Sequence, residues 1–236
     1  MKTLVVLTQY KRNHLETQLI QIEKQTLTPD YVVVFQNENH VDITELKNRY
    51  NFIHVKSDYN TKYFGRFAFC FSFEVDICLI LDDDIIPGTN CFKNYCEQCN
   101  SLNAIIGGNG RIAQTNPNSN KLKRPSDVGF RSEPIKVDFV GHIWCFKKEW
   151  LHYMFSIQPY TYDTGEDMHL CFSSKVLGNI HSYTGKQETA DDQCDIQLNR
   201  LATDQYSSYL TTSSQLRKNV EEYFTKNYDL KLIDKN

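Results

Sequence analysis

The chain has 236 residues, 40% of them hydrophobic and 23% charged, with a formal net charge of −3. That balance predicts one globular domain with a sizeable core and excludes a protein that coats nucleic acid, because the positive field that draws a polyanion is missing. The apolar run at Met1 to Gln9 is too short for a signal peptide and no later run reaches spanning length, which predicts no transmembrane segment and a cytoplasmic location.

Continuous apolar runs at Thr3 to Leu7 and Tyr31 to Phe35 predict strands buried on both faces of a parallel sheet, and Phe52 to Val55 and Ile77 to Leu81 continue the series. Between the first two, Asn13 to Gln25 carries Leu15, Leu19 and Ile22 at helical spacing, with Asn13 and Glu16 reading as an N-terminal capping box. Helices over Thr44 to Tyr50 and Phe64 to Glu74 complete right-handed crossovers. Residues 1–88 thus predict a doubly wound α/β half, with a mostly parallel sheet flanked by helices, of the kind that binds nucleotides.

Residues 89–236 have a different texture, without a linker or repeat that would force a domain boundary. Ala104 to Gly107 reads as a strand, followed by Gly108-Asn109-Gly110-Arg111 and a polar stretch, Asn116 to Arg131, that predicts a mobile loop or lid. Lys136 to Val140 and Ile143 to Phe146 read as strands on either side of Gly141-His142, and a helix follows from Lys148 to Phe155. A second helix opens at Thr164-Gly165-Glu166-Asp167, turns Met168, Cys171, Phe172 and Val176 to a core, and ends at Gly178. Ser214 to Tyr228 reads as a last amphipathic helix. Eight cysteines lie in apolar elements without the spacing of a stapled domain, which predicts reduced thiols; Cys91, Cys96 and Cys99 cluster but lack a fourth ligand for zinc.

The most informative stretch is Cys78-Leu79-Ile80-Leu81-Asp82-Asp83-Asp84-Ile85-Ile86-Pro87-Gly88. A strand-length apolar burst delivers three carboxylates to its carboxyl end, where open α/β sheets bind ligands, and stops at a Pro-Gly turn. Strand alternation would point Asp82 and Asp84 to one side and Asp83 to the other. Like charges that close need a cation between them, and carboxylate oxygens suit magnesium or manganese. The bland alternative is a solvated acidic loop after a core strand.

Thr8-Gln9-Tyr10-Lys11-Arg12 after the first strand, Leu81-Asp82-Asp83-Asp84 after the fourth, Val140-Gly141-His142 and Gly165-Glu166-Asp167, in that order, resemble the GT-A family of nucleotide-sugar glycosyltransferases. The resemblance is nearest to small transferases of large DNA viruses and to exostosin-like transferases, and for a viral source the cytoplasm would be the host's. It implies a single Rossmann-like GT-A domain, with residues 1–88 holding the nucleotide sugar and residues 89–236 the acceptor. Asp84 would hold a Mn2+ (or Mg2+) ion that bridges the diphosphate, with Asp82 sharing the metal or meeting the ribose and Asp83 in support. Thr8, Tyr10 and Arg12 would border the nucleoside, Asn37 and Glu38 the base, and Arg66 the diphosphate. Asp167 would be the base that activates an acceptor hydroxyl, with Glu166 as its alternate. His181 would be a third metal ligand, and His142 and Trp144 would line the sugar pocket.

Each assignment has a plainer reading. Arg66 is also an ordinary surface arginine, Thr164 with Asp167 a capping pair, His181 a structural strand histidine and Trp144 a core residue. For the whole chain, the resemblance implies a UDP-sugar donor, a glycan or glycoconjugate acceptor, and transfer with inversion, retention being open in this fold. The alternatives are a haloacid dehalogenase-like phosphatase, whose Asp-x-Asp usually follows the first strand and leads into small or hydroxyl residues, and a non-catalytic sugar-nucleotide or glycan-binding module.

Overall fold

A computed structural model describes residues 1–38, 41–113, 123–126, 129–198, 200–201, 204–205 and 214–233, the strand at 123–126 by its backbone alone. The expected elements of the first half appear in order: β1 (Thr3–Gln9), α1 (Leu15–Glu23), β2 (Tyr31–Asn37), α2 (Thr44–Arg49), β3 (Ile53–Ser57), α3 (Gly65–Phe69) and β4 (Ile77–Leu81). The second half holds α4 (Cys91–Leu102), β5 (Ile105–Ile112), β6 (Lys123–Ser126), β7 (Ile135–Val137), β8 (Phe139–Lys147), α5 (Leu151–Ser156), α6 (Glu166–Gly178), β9 (Ser182–Thr184) and α7 (Ser214–Asn227).

All of these strands join one sheet, ordered β3-β2-β1-β4-β8-β5-β9-β7, with β6 beside β5. Strands β1 to β4 are parallel, and every residue of β4 is buried, as its unbroken apolar run requires. Strand β8 runs antiparallel to β4, with Leu81 opposite Ile143, and β5 and β9 return to the direction of β4. The sheet is therefore mostly parallel and continuous across the two halves, and the chain has the architecture of a single Rossmann-like domain. Helices α1, α4 and α6 pack on β1, β5 and β8.

The departures have local causes. Asn13 does not cap α1: His14 holds that position and makes no side-chain cap bond. Gly141-His142 does not interrupt β8; the strand runs through it with His142 at φ 72°, while the β5–β8 register shifts between Gly107 and Asn109, a bulge. Strand β5 continues past Gly107 because its glycines serve contact rather than a turn: a Cβ on Gly107 would lie 2.3 Å from Cβ of Val140. Gly178 stays helical and Asn179, at φ 53°, closes α6. The helix expected over Phe64 to Glu74 is α3 plus a 3-10 turn at Cys70–Ser72.

All eight cysteines are buried free thiols, and Cys91, Cys96 and Cys99 lie on the buried face of α4. Of the stretch Asn116 to Arg131, residues 116–122, 127 and 128 lie outside the described residues; Arg131 bridges Gln187 and β6 pairs with β5.

Candidate active site

The acidic triplet begins where β4 ends. The Asp82 N–H donates to the His142 carbonyl at 3.0 Å, and its own carbonyl accepts from Ile85 N–H at 3.3 Å, closing a turn. Gln18, buried on α1, fixes that turn by donating Nε2 to the carbonyls of Asp82 and Ile85, both at 2.8 Å. Because the chain leaves the strand at Asp82, strand alternation stops there, and the expected Asp82/Asp84 pairing on one side is not formed. Asp82 turns to Arg66, while Asp83 and Asp84 share Arg12.

Three arginines organise the acids. Arg12 donates Nη1 to Asp83 at 2.5 Å and to Asp84 at 3.0 Å, and its Nε and Nη2 grip Asp204 at 2.8 Å each. Arg66, 3% exposed and so no surface arginine, donates Nη1 to Asp82 at 2.6 Å and to the Thr8 hydroxyl at 3.2 Å. Its Nη2 reaches Glu166 at 3.1 Å, and its guanidinium lies 4.7 Å from the Trp144 ring centre. Arg217 on α7 donates to Asp167 Oδ2 at 2.6 Å. The first carboxylate of the triplet and the acid pair of α6 are thus joined through one buried guanidinium.

Six carboxylates (Asp82, Asp83, Asp84, Asp204, Glu166 and Asp167) meet three guanidinium groups in these pairs. Burial first, and neighbouring carboxylates after it, raise the titration of Asp83, Asp84 and Glu166. Burial, opposed by Arg12, pushes Asp83 up to about 6. Burial together with Asp82 and Asp83 pushes Asp84 up to about 7. Burial and the neighbouring Asp167 push Glu166 up to about 7, against Arg66 and Arg217.

Carboxylates that outnumber their arginines fit a divalent cation, which magnesium and manganese sites hold with one or two carboxylates and complete with water and phosphate oxygens. Among the described residues no group of three His, Cys, Asp or Glu side chains is ready-made to hold a metal, so a ligand would have to supply the remaining oxygens.

The structure leaves His181 out of this site. Through the registers of β9, β5 and β8 it lies level with Ile77, at the start of β4. That is five residues, about 16 Å along the strand, short of Asp82 and three strands away. Burial and the charges of Lys136 and Lys175 lower its pKa, and no carboxylate contributes to that shift. Trp144 is core, 2% exposed, with Nε1 donating to the Val140 carbonyl at 2.8 Å. His142 stands half-buried beside the triplet, its Nε2 3.2 Å from the Asn109 amide nitrogen.

Asn37 acts on its own protein: its carbonyl oxygen accepts from the N–H of Thr61 at 2.9 Å, and its amide donates to Asn60 and to the Lys62 carbonyl. It shapes the loop that delivers Arg66, and Glu38 and Tyr10 meet the same loop through Asn60. The capping pair is not formed: Gly165, at φ 81°, holds the N-cap position with no side-chain cap bond, and Asp167 Oδ1 accepts from Met168 N–H at 2.7 Å. Lys11, Glu38, Lys62 and His142 all have positive φ around this end of the sheet, a strained conformation for side-chain-bearing residues.

Several residues of the site carry no signal in the sequence. Arg217 and Asp204 come from the C-terminal region, and Tyr63, half-buried beside Arg66, has its pKa raised by burial and by Glu166. Asp195, 1% exposed, accepts from Ile86 N–H at 3.3 Å, and its charge helps to raise the pKa of Asp84. A cavity of about 660 Å³ opens at the other end of the sheet, around Asp76, Ile77 and Lys147, and holds none of these groups.

No family model and no curated protein matches the sequence. Solved structures do, 305 chains in all. Among them is the Staphylococcus aureus protein TarS, matched over 96% of this chain with a TM-score of 0.55 and 14% identity. The chain therefore shares the fold of TarS over nearly all of its length. It spans 44% of TarS, and the finer likeness to viral and exostosin-like transferases rests on the sequence motifs.

Proposed function

We propose that the chain is a metal-dependent glycosyltransferase that moves a sugar from a nucleoside diphosphate sugar, with UDP as the nucleotide, to a hydroxyl of a glycan or glycoconjugate with inversion. The observation that carries this reading is Arg66. One guanidinium touches both Asp82 at the strand end and Glu166 at the head of α6, so a donor held at the first lies within a sugar's length of an acceptor at the second.

Asp82 and Asp84 leave the turn toward different arginines, yet Asp82 still acts on Asp84, and between them they would hold Mn2+ or Mg2+, which would supply neutralisation of the charge that develops on the departing diphosphate. Arg12 and Arg66 flank the same place and add fixed positive charge; Thr8 and Tyr10 border the nucleoside. Glu166 keeps Arg66 in position. Asp167, beside it at the head of α6, takes the proton of the acceptor hydroxyl while Arg217 holds its carboxylate in orientation. A phosphatase of the haloacid dehalogenase type would place its nucleophile after the first strand and lead into small or hydroxyl residues, whereas Asp82 ends the fourth strand and the triplet leads into Ile85-Ile86.

The test is release of nucleoside diphosphate from a panel of nucleoside diphosphate sugars, with manganese or with chelator. Release from at least one donor is expected with manganese, with loss in chelator and in Asp84→Ala. Release of phosphate from a phosphomonoester, with every sugar nucleotide intact, overturns the reading.

A further inference from the structure

The loop into the acid pair, Gln158-Pro159-Tyr160-Thr161-Tyr162-Asp163, presents two tyrosines to solvent, Tyr160 at 47% exposure and Tyr162 at 54%. Large aromatic rings left half in water are usually mobile, but these two are anchored. Tyr162 packs edge-on against Phe64 at 5.4 Å, and its hydroxyl accepts from Gln158 Nε2 at 3.3 Å. Tyr160 lies 5.9 Å from the Tyr223 ring of α7, and its hydroxyl accepts from Asn219 Nδ2 at 3.2 Å. Tyr223 in turn donates its hydroxyl to the Gln158 carbonyl at 3.1 Å.

Both anchors lead to the acid pair. Phe64 stands two residues before Arg66, which holds Glu166, and α7 carries both Asn219 and Arg217, which holds Asp167. The rings are therefore fixed relative to the two carboxylates, four to seven residues further on. Each hydroxyl oxygen already accepts one bond from the protein, so what the loop chiefly offers a ligand is ring surface. The faces are electron-rich and apolar, which suits the C–H face of a pyranose. Polar groups stand beside them: Lys62 and Asp163 pair across 3.7 Å at the edge of the same loop, where they can meet ring hydroxyls.

We infer that Tyr160 and Tyr162 form a carbohydrate-binding ledge that holds the non-reacting sugars of an oligosaccharide acceptor while its terminal hydroxyl reaches Asp167. This rests on the transferase reading for the acceptor's role, but binding of sugar by the ledge does not. Ordered rings cost little conformational entropy on binding, so even a weak stack adds to acceptor affinity.

The experiment is saturation-transfer NMR on the whole chain with a panel of oligosaccharides built from glucose, galactose and N-acetylglucosamine, run with UDP and manganese, beside thermal shift by UDP and manganese. Wild type should bind at least one oligosaccharide. The double variant Tyr160→Ala with Tyr162→Ala should lose roughly tenfold or more in affinity, a change of about 1.4 kcal/mol. Tyr160→Phe and Tyr162→Phe, which keep the faces, should stay within about twofold, and UDP stabilisation should be equal in all variants. Unchanged oligosaccharide binding in the double variant overturns the ledge, as does a wild type that is stabilised by UDP but binds no sugar. Sugar binding that the double variant loses, with no stabilisation by UDP, supports the ledge and overturns the transferase reading instead.

Discussion

The two acidic clusters stand on different supports. Asp82, Asp83 and Asp84 leave a buried strand on a turn, and their arginines come from the first half of the chain, apart from the second grip of Arg12 on Asp204. Glu166 and Asp167 open a helix, and their arginines lie 100 residues earlier, on α3, and 50 residues later, on α7. The first cluster is a product of the β-α repeat and comes with its fold. The second is assembled from three distant segments and exists only once α7 has docked through Val220 and Phe224, both buried.

Arg66 belongs to both clusters, so its loss carries the largest effect. Arg66→Ala leaves Asp82 and the buried Glu166 unpaired, and removal of one partner from a buried ion pair costs about 3–5 kcal/mol. A chemical denaturation midpoint should fall accordingly and transfer should vanish. Arg66→Lys restores the charge but not the fork that spans two carboxylates, so it should recover part of the stability and little of the activity.

The next largest effect separates the clusters. Asp167→Asn keeps shape but cannot take a proton, so transfer should drop roughly a hundredfold or more, while UDP binding with manganese, measured by calorimetry, stays near wild type. Normal transfer in Asp167→Asn with loss in Glu166→Gln would assign the base to Glu166.

The smallest effect compares their titration in chelator. Asp83 at about 6 and Asp84 and Glu166 at about 7 all exceed the usual unfolded values near about 4. Between those limits the folded chain binds protons that the unfolded chain has released. Stability is therefore greatest at the acid end and falls as pH rises from about 4 through about 7. Asp84→Asn should flatten that fall and raise stability at pH 8 by about 1–2 kcal/mol, the usual gain when a strained functional charge is removed. A thermal melt that is steeper with pH in the variant than in wild type would contradict the assignment.

The sequence was most legible where local pattern decides structure. The runs at Thr3, Tyr31 and Ile77 could only be buried strands, and the acids after Leu81 could only sit at a strand end. It misled where glycine serves packing rather than a turn: Gly108 and Gly110 read as following the strand but lie inside β5, pressed against Cys194 and Thr184, and Gly141-His142 read as a break but lies inside β8. The Asp82/Asp84 pairing failed because alternation holds only within a strand. His181 failed because a histidine on a late strand does not reveal at which end of the sheet that strand begins. Arg217, Asp204 and Asp195 were invisible, since pairing across 50 to 192 residues leaves no periodic trace.

The central claim is that the Asp82–Asp84 end of the sheet binds a nucleoside diphosphate through a shared cation. Its most direct measurement is the thermal shift produced by UDP in wild type and in Asp84→Ala, each with manganese and with chelator. A large shift in wild type with manganese, a small one in chelator, and no difference between the two in Asp84→Ala is the predicted result. Equal stabilisation of wild type with manganese and with chelator would contradict it, leaving Arg12 and Arg66 alone to hold the phosphates.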